Sequence, residues 1–109
     1  MSGYFRDLTE GASFDPAKAV KADLFAGEHL FVGLNCFEPR QAQRVHTHAG
    51  ADKFYLVVSG RAMMTGGDET REAGPGTLVW APASVPHGVQ EALERTVMLV
   101  GIASAPSPR

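Results

Sequence analysis

The sequence predicts a single domain of the all-β class, a sandwich or barrel built from short strands. Its 109 residues are the usual size of one domain. Twelve glycines and seven prolines divide the chain at short intervals. The runs between them are rich in valine, leucine, phenylalanine and threonine, as β-strands are. An apolar content of 44% is ordinary for a globular protein of this length and provides one modest core.

The candidate elements follow in chain order between these turn residues. The stretch GGDE at 66–69 is typical of a hairpin turn. Asp15 as N-cap and Pro16 at the first helical position predict one helical turn within 14–20. The remaining runs predict strands at 28–37, 41–48, 53–59, 61–65, 70–73, 77–81, 87–90 and 95–104.

Composition and charge argue against several classes of protein. The formal charge of −2 gives no basic field of the kind that binds nucleic acid. No apolar run approaches the roughly 20 residues that span a bilayer, and the N-terminus MSGYFRDLTEG does not resemble a signal peptide. The single cysteine, Cys36, cannot form an internal disulfide, which fits a reducing compartment. We therefore expect a cytoplasmic protein with no nucleic-acid or membrane partner.

A pair of histidines indicates the first candidate site. His46 and His48 are two residues apart, so they share one face of an extended strand, with Cα atoms about 6.7 Å apart. Two imidazoles at that spacing can converge on one metal ion. Two exposed histidines at a strand end would give the same pattern, and short motifs often occur by chance.

The surrounding residues resemble the first motif of the cupin superfamily, Gly-x5-His-x-His-x(3,4)-Glu-x6-Gly. Arg40 stands at its first glycine, His46 and His48 at its histidines, Lys53 at its glutamate and Gly60 at its last glycine.

A second segment resembles the second cupin motif, Gly-x5-Pro-x-Gly-x2-His-x3-Asn. Gly76, Pro82 and His87 are in register, whereas Ser84 replaces the inner glycine and Glu91 the asparagine. The likeness extends over about 28–103.

The resemblance implies a single-domain, cupin-like jelly-roll β-barrel over 28–104, with the segment 1–27 packed on the barrel and 105–109 a disordered tail. It also implies one divalent metal ion per chain (iron, zinc, nickel or manganese) bound by His46, His48 and His87. His29 matches no motif position and is expected at the surface.

The lysine at the glutamate position leaves three arrangements open. Lys53 could point away from a three-histidine site that has free coordination positions. It could instead lie near the metal and bind an anionic substrate, or Asp52 could replace the glutamate through a bulge or the turn. Tyr55 shares the Lys53 face of the strand and is a further candidate site residue.

Two functional hypotheses follow, with a metal-free structural remnant as a third. The first is a metal-dependent enzyme, dioxygenase-like or isomerase-like, that acts on a small anionic or chelating molecule. The second is a non-catalytic module that binds a small ligand or a metal. The apolar face formed by Phe54, Leu56 and Val58, with Phe31 or Val32, predicts a homodimer, as in many small cupins.

Overall fold

A computed structural model describes residues 3–105 and confirms the all-β class. One short helix, α1, precedes nine strands, β1 to β9. In chain order the elements are α1 Leu8–Gly11, β1 Val20–Ala26, β2 Phe31–Phe37, β3 Gln43–His46, β4 Asp52–Ser59, β5 Ala62–Gly66, β6 Glu69–Ala73, β7 Leu78–Ala81, β8 His87–Ala92 and β9 Thr96–Ala103.

The strands form two antiparallel sheets in an arrangement consistent with a jelly roll. The larger sheet has the order β1-β2-β9-β4-β7, and the smaller sheet has the order β3-β8-β5-β6. The expected closed barrel is not found. Within residues 3–105 the ladders of the two sheets remain separate, because no strand of one sheet pairs with a strand of the other.

The main core lies between the two sheets. Tyr55 and Val57 from β4 and Met98 from β9 are fully buried there, against Met64 and Val89 of the smaller sheet. Alternation along β4 places Lys53, Tyr55 and Val57 on this inner face. The inner face of the larger sheet therefore carries a buried charged residue, Lys53, beside the apolar residues of the core.

A second cluster covers part of the outer face of the larger sheet. Leu34, Cys36 and Val97 are buried there, and Leu8 and Phe14 from the N-terminal segment pack on them. Burial raises the pKa of the Cys36 thiol, so this cysteine is a small core residue and not a reactive one.

The N-terminal part of the chain differs most from the expectation. The predicted helical turn at 14–20 is wrong as a helix. Asp15 accepts a hydrogen bond from the Ala17 amide and bridges to Lys18, which closes a turn. Strand β1 within the 1–27 segment was not predicted, and it forms an edge strand of the larger sheet. Of the expected tail, residues 106–109 lie outside the described residues.

The described residues contain no helix that is long and apolar enough to cross a membrane. Helix α1 has four residues and is the only α-helix in residues 3–105.

The backbone supports the register of both sequence motifs. Gly60 and Gly76 have φ values of 84° and 87°, in the left-handed region that glycine tolerates. Arg40 and Ser84, which replace the other two motif glycines, also have positive φ values, 76° and 66°. The chain thus keeps the left-handed turn at each motif glycine position even where the side chain differs.

Candidate metal centre

Strands β3 and β8 place two of the histidines directly opposite each other. His46 is the direct cross-strand partner of His87, and their ring centroids are 4.4 Å apart. His48 follows β3, and its Nε2 atom lies 3.1 Å from Nε2 of His46. One ring nitrogen from each of the three residues lies within 4.8 Å of the others. The structure therefore gathers His46, His48 and His87 into one cluster, which we call the histidine triad.

Backbone carbonyls fix the tautomers of two triad residues. Nδ1 of His46 is 2.7 Å from the Arg44 carbonyl oxygen, and Nδ1 of His87 is 2.9 Å from that of Val85. A carbonyl oxygen can only accept, so each Nδ1 must carry the proton. In the neutral ring Nε2 then has a bare lone pair. This is the usual state of a metal-binding histidine, held in place by a hydrogen bond from its other nitrogen.

The Nε2 atom of His87 provides the strongest test of whether a metal fits here. His87 is 1% exposed, and Nε2 is a buried polar atom without a hydrogen-bond partner. Leaving such an acceptor unsatisfied costs roughly 1–3 kcal/mol. A divalent ion shared with His46 and His48 would satisfy it. The donor set and its geometry fit a metal ion such as zinc or iron.

Burial and nearby charges lower the pKa values of two triad residues, His48 and His87. Burial lowers the pKa of His87, and the positive charges of Lys53, His46 and His48 lower it further against the opposing effect of the Val85 carbonyl. Burial, then His46, Lys53 and Lys21, lower the pKa of His48. Neutral imidazoles are the form that binds metal.

Close packing of β3 on β8 sets the position of His46. The pairing shifts by one residue between Gln43 and His46, as in a β-bulge. A Cβ atom added at Gly88 would lie 2.8 Å from Cα of Val45 and 2.9 Å from the Gln43 carbonyl oxygen. A residue without a side chain is therefore needed at position 88 for β3 to approach this closely.

The loop that carries His48 is fastened to the loop before β8. The Ser84 amide donates to the His48 carbonyl oxygen at 2.8 Å. The Asp52 carboxylate accepts from the Ala83 amide at 2.9 Å. Asp52 is exposed and is not one of the residues gathered at the triad, so the structure gives this carboxylate a structural contact and places it apart from the three imidazoles.

Lys53, at the position of the family's glutamate, points into the interior. It is 4% exposed, and its Nζ atom lies 4.6 Å from the centroid of the Tyr55 ring, a cation–π contact. Burial, then the charge of Lys21, lowers the pKa of Lys53 to about 8. The triad therefore has a cation beside it where the family pattern has an anion.

Tyr55 lies beneath the site. Its hydroxyl donates to Oε1 of Gln43 at 2.6 Å, and its ring centroid is 6.1 Å from that of His87. Burial raises the pKa of Tyr55 far above its usual range, so the phenol stays protonated. Glu91 is exposed on β8 and is not one of the residues gathered at the triad. Tyr55 therefore supports Gln43, and neither Tyr55 nor Glu91 is placed to accept a proton at the site.

An open cavity of about 790 Å³ adjoins the triad. His46, His48 and Lys53 line it together with Lys21, Gln43, Arg44 and Ile102, the loop residues Ala49, Gly50 and Ala51, and Ser104 and Ala105. Sequence reasoning missed Lys21, Gln43 and Arg44. Lys21 lies on the unpredicted strand β1, and the bulge in β3 disturbs the simple alternation that would have placed Gln43. Three cationic side chains and two of the triad histidines therefore line the same cavity.

Comparison with known proteins gives consistent results. The family described as "Cupin domain" matches residues 33–102. An uncharacterized protein of Streptomyces coelicolor is 36% identical over 72 residues, which cover 66% of this chain and 68% of that protein.

Two solved structures have the same fold. The protein TT1209 of Thermus thermophilus has a TM-score of 0.87 at 36% identity, covering 94% of this chain and 98% of its own. An RmlC-like cupin of Desulfovibrio desulfuricans has a TM-score of 0.82 at 29% identity, covering 92% and 95%. These similarities extend over nearly the whole chain.

Proposed function

Because this chain belongs to the cupin domain family, we propose that it is a metal-binding cupin whose histidine triad holds one divalent ion. The observation that carries the proposal is the buried, unpartnered Nε2 of His87, which faces the imidazoles of His46 and His48. In a folded core such an atom needs a partner, and the ion would provide it.

Three neutral ligands can bind iron, zinc, nickel or manganese, with different affinities, so the ligand set does not determine which metal is bound. They also leave the charge of the ion uncompensated, which favours an anionic partner. In the described residues the site has no carboxylate that could take this role, since Asp52 is hydrogen-bonded to the Ala83 amide. A bound ligand is the natural source of negative charge.

We propose further that the protein is a metal-dependent enzyme, dioxygenase-like or isomerase-like, acting on a small anionic or chelating molecule. A metal with free coordination positions would supply Lewis-acid or redox chemistry there. Lys53 would attract the negative group of the substrate. Gln43, whose carbonyl oxygen accepts from Tyr55, would present its amide N–H groups to the cavity.

The alternative is a module that holds a small ligand or a metal without turnover. The described cavity lining favours it in one respect, because it contains no carboxylate or tyrosine that could serve as a general base. Fold alone does not separate the two functions.

Reconstitution with single metals distinguishes the two. The protein is stripped with a chelator, loaded with ferrous iron, manganese, zinc or nickel, and incubated with catechols, β-diketones, thiols and sugar acids. Oxygen uptake with iron alone indicates oxygenase chemistry. Turnover with several metals and no oxygen uptake indicates isomerase chemistry. Tight ligand binding without turnover under any metal indicates the binding module.

The proposal includes a homodimer and a cytoplasmic location. The buried single cysteine suits a reducing compartment. The dimer is supported by the part of the outer sheet face that the N-terminal segment leaves uncovered, where Leu78 is 64% exposed and Trp80 59% exposed.

A further inference from the structure

Lys53 is a buried cation without an anionic partner. Four ion pairs occur among the described residues, and none of them involves Lys53, Lys21 or Arg44. Lysine is almost never fully buried unless it is paired. The contact with the Tyr55 ring compensates only part of the lost hydration. The position of this ammonium group therefore calls for an anion.

Lys21 is placed to share that anion. It lies on β1 opposite Asn35, and the register across β2, β9 and β4 puts it on the same inner sheet face as Lys53. Both lysines line the cavity beside the triad, and both also line a second cavity of about 420 Å³. The two cavities meet at this pair of cations.

The second cavity gives the shape of the molecule that would fit. Apolar side chains, among them Phe31, Val100 and Ile102, form about half of its lining, and Asn35 adds a polar group beside the two lysines. Its one acidic residue is Asp23, which is exposed on the edge strand β1. The described lining contains no helix terminus of the kind that often binds phosphate. One buried ammonium group matches a monoanion with a small apolar body.

We propose that this protein binds a small aliphatic carboxylate whose carboxylate group is held by Lys53 and Lys21, beside the histidine triad, while its apolar body lies in the second cavity. The inference rests on the proposed function for the role of the triad and names the substrate class of that site. It differs from chelation of the metal by both ends of a ligand, because the negative charge is anchored on protein cations.

The experiment is a titration with butyrate and with butyramide, which has the same shape and no charge, monitored by NMR. Chelator-treated protein is used first, so that the outcome does not depend on metal binding. We expect butyrate to bind and butyramide not to bind. Lys53→Met should weaken butyrate binding by roughly 10- to 100-fold, as expected for loss of a charge-assisted hydrogen bond, and Lys21→Met should weaken it less.

The matched control is Lys18→Met, which removes the third lysine of the chain, an exposed residue outside both cavities. It should leave butyrate binding unchanged. If Lys53→Met fails to fold, Lys53→Gln and Lys21→Met test the same site.

Three results would overturn the proposal: equal binding of butyrate and butyramide or of neither, phosphate binding more tightly than butyrate, or butyrate binding that requires metal and is indifferent to Lys53→Met. Loss of metal binding with retained butyrate binding would contradict the metal proposal alone. The two failures are therefore distinguishable.

Discussion

His46 and His87 are direct cross-strand neighbours on β3 and β8, with ring centroids 4.4 Å apart. Each ring donates Nδ1–H to a backbone carbonyl two residues earlier in the chain. The two strands thus set the position and the tautomer of both rings before any ligand is present. Pre-organisation of this kind lowers the entropic cost of binding.

Removing any triad histidine should abolish tight binding of a divalent ion. We expect His46→Ala, His48→Ala and His87→Ala each to lower zinc affinity at least about 100-fold, because a site reduced to two protein ligands loses one coordinate bond and its chelate geometry. His29→Ala is the matched control, since His29 is exposed and outside the cluster. Competition with a chromophoric chelator measures the affinity. Wild-type affinity in the triple alanine variant would refute the site.

Metal affinity should decrease on acidification. Each ligand must be neutral to bind, and an unperturbed imidazole gains its proton near pH 6.5. Since the pKa values of His48 and His87 are lowered, mainly by burial, these two ligands stay neutral to a lower pH, and the decrease should be complete only below about pH 6.5. Metal content after dialysis at pH 5 and pH 8 measures this. Equal content would indicate carboxylate ligands such as Asp52.

The lowered pKa of His87 also predicts the direction in which the stability of the metal-free protein changes with pH. The unfolded chain protonates His87 near pH 6.5 and the folded chain only at lower pH, so the unfolded state binds more protons between the two values. The free energy of unfolding should therefore decrease as pH falls below about 6.5 and level off below the folded pKa. Urea titrations of wild type and His87→Gln test this, because the variant should lack that part of the pH dependence.

Lys53→Glu should reverse the charge preference of the site. It places a carboxylate at the position of the family's glutamate, beside the triad and in the interior. We expect zinc affinity to rise by about tenfold or more and butyrate binding to disappear, because a repelled cation becomes an attractive anion. Lys18→Glu has the same charge change at an exposed position and should alter neither. Unchanged zinc affinity would show that residue 53 does not reach the ion.

The sequence predicted those parts of the fold that depend on local patterns. Alternation separated Tyr55, on the Lys53 face of its strand, from Phe54 and Leu56 on the opposite face, and the structure shows the same division. The motif spacing predicted that His46 and His87, which are 41 positions apart in the sequence, lie in one cluster. Strand β1 was missed because Lys21 and Asp23 interrupt its apolar run, and its pairing with β2 is a tertiary effect.

The motif spacing predicted the three histidines of the site but not the environment around them. The burial of Lys53 depends on how the two sheets pack, and local sequence does not encode that packing. The closed barrel was also inferred from the family pattern, whereas the hydrogen bonding among residues 3–105 divides the strands into two sheets. The bulge in β3 lies where β3 packs closely on Gly88, a contact between residues that are distant in the sequence.

The uncovered outer face predicts a homodimer. Leu78 and Trp80 on edge strand β7 pair with Leu56 and Phe54 and share their outer face. Leu78→Lys should give a monomer at micromolar concentration, where wild type has twice the monomer mass by light scattering, because a charge would be buried at the interface. Leu93→Lys makes the same change in the exposed β8–β9 turn and should remain dimeric. A monomeric wild type would reject the dimer.

Gly88→Ala should weaken metal binding through the backbone, without touching any ligand. The new methyl group would lie 2.8 Å from Cα of Val45 and 2.9 Å from the amide nitrogen of Val45 and the Gln43 carbonyl oxygen, all backbone atoms that cannot rotate aside. Strand β3 must then move away from β8, and His46 moves with it relative to His87. Overpacking of this kind typically costs about 1–3 kcal/mol of stability. We expect this variant to have both a lower free energy of unfolding, measured by urea titration, and a lower zinc affinity. Gly3→Ala, where the methyl group meets nothing within 4 Å, should change neither. If Gly88→Ala lost stability but bound zinc as tightly as wild type, the approach of β3 to β8 would stabilise the sheet without setting the position of His46.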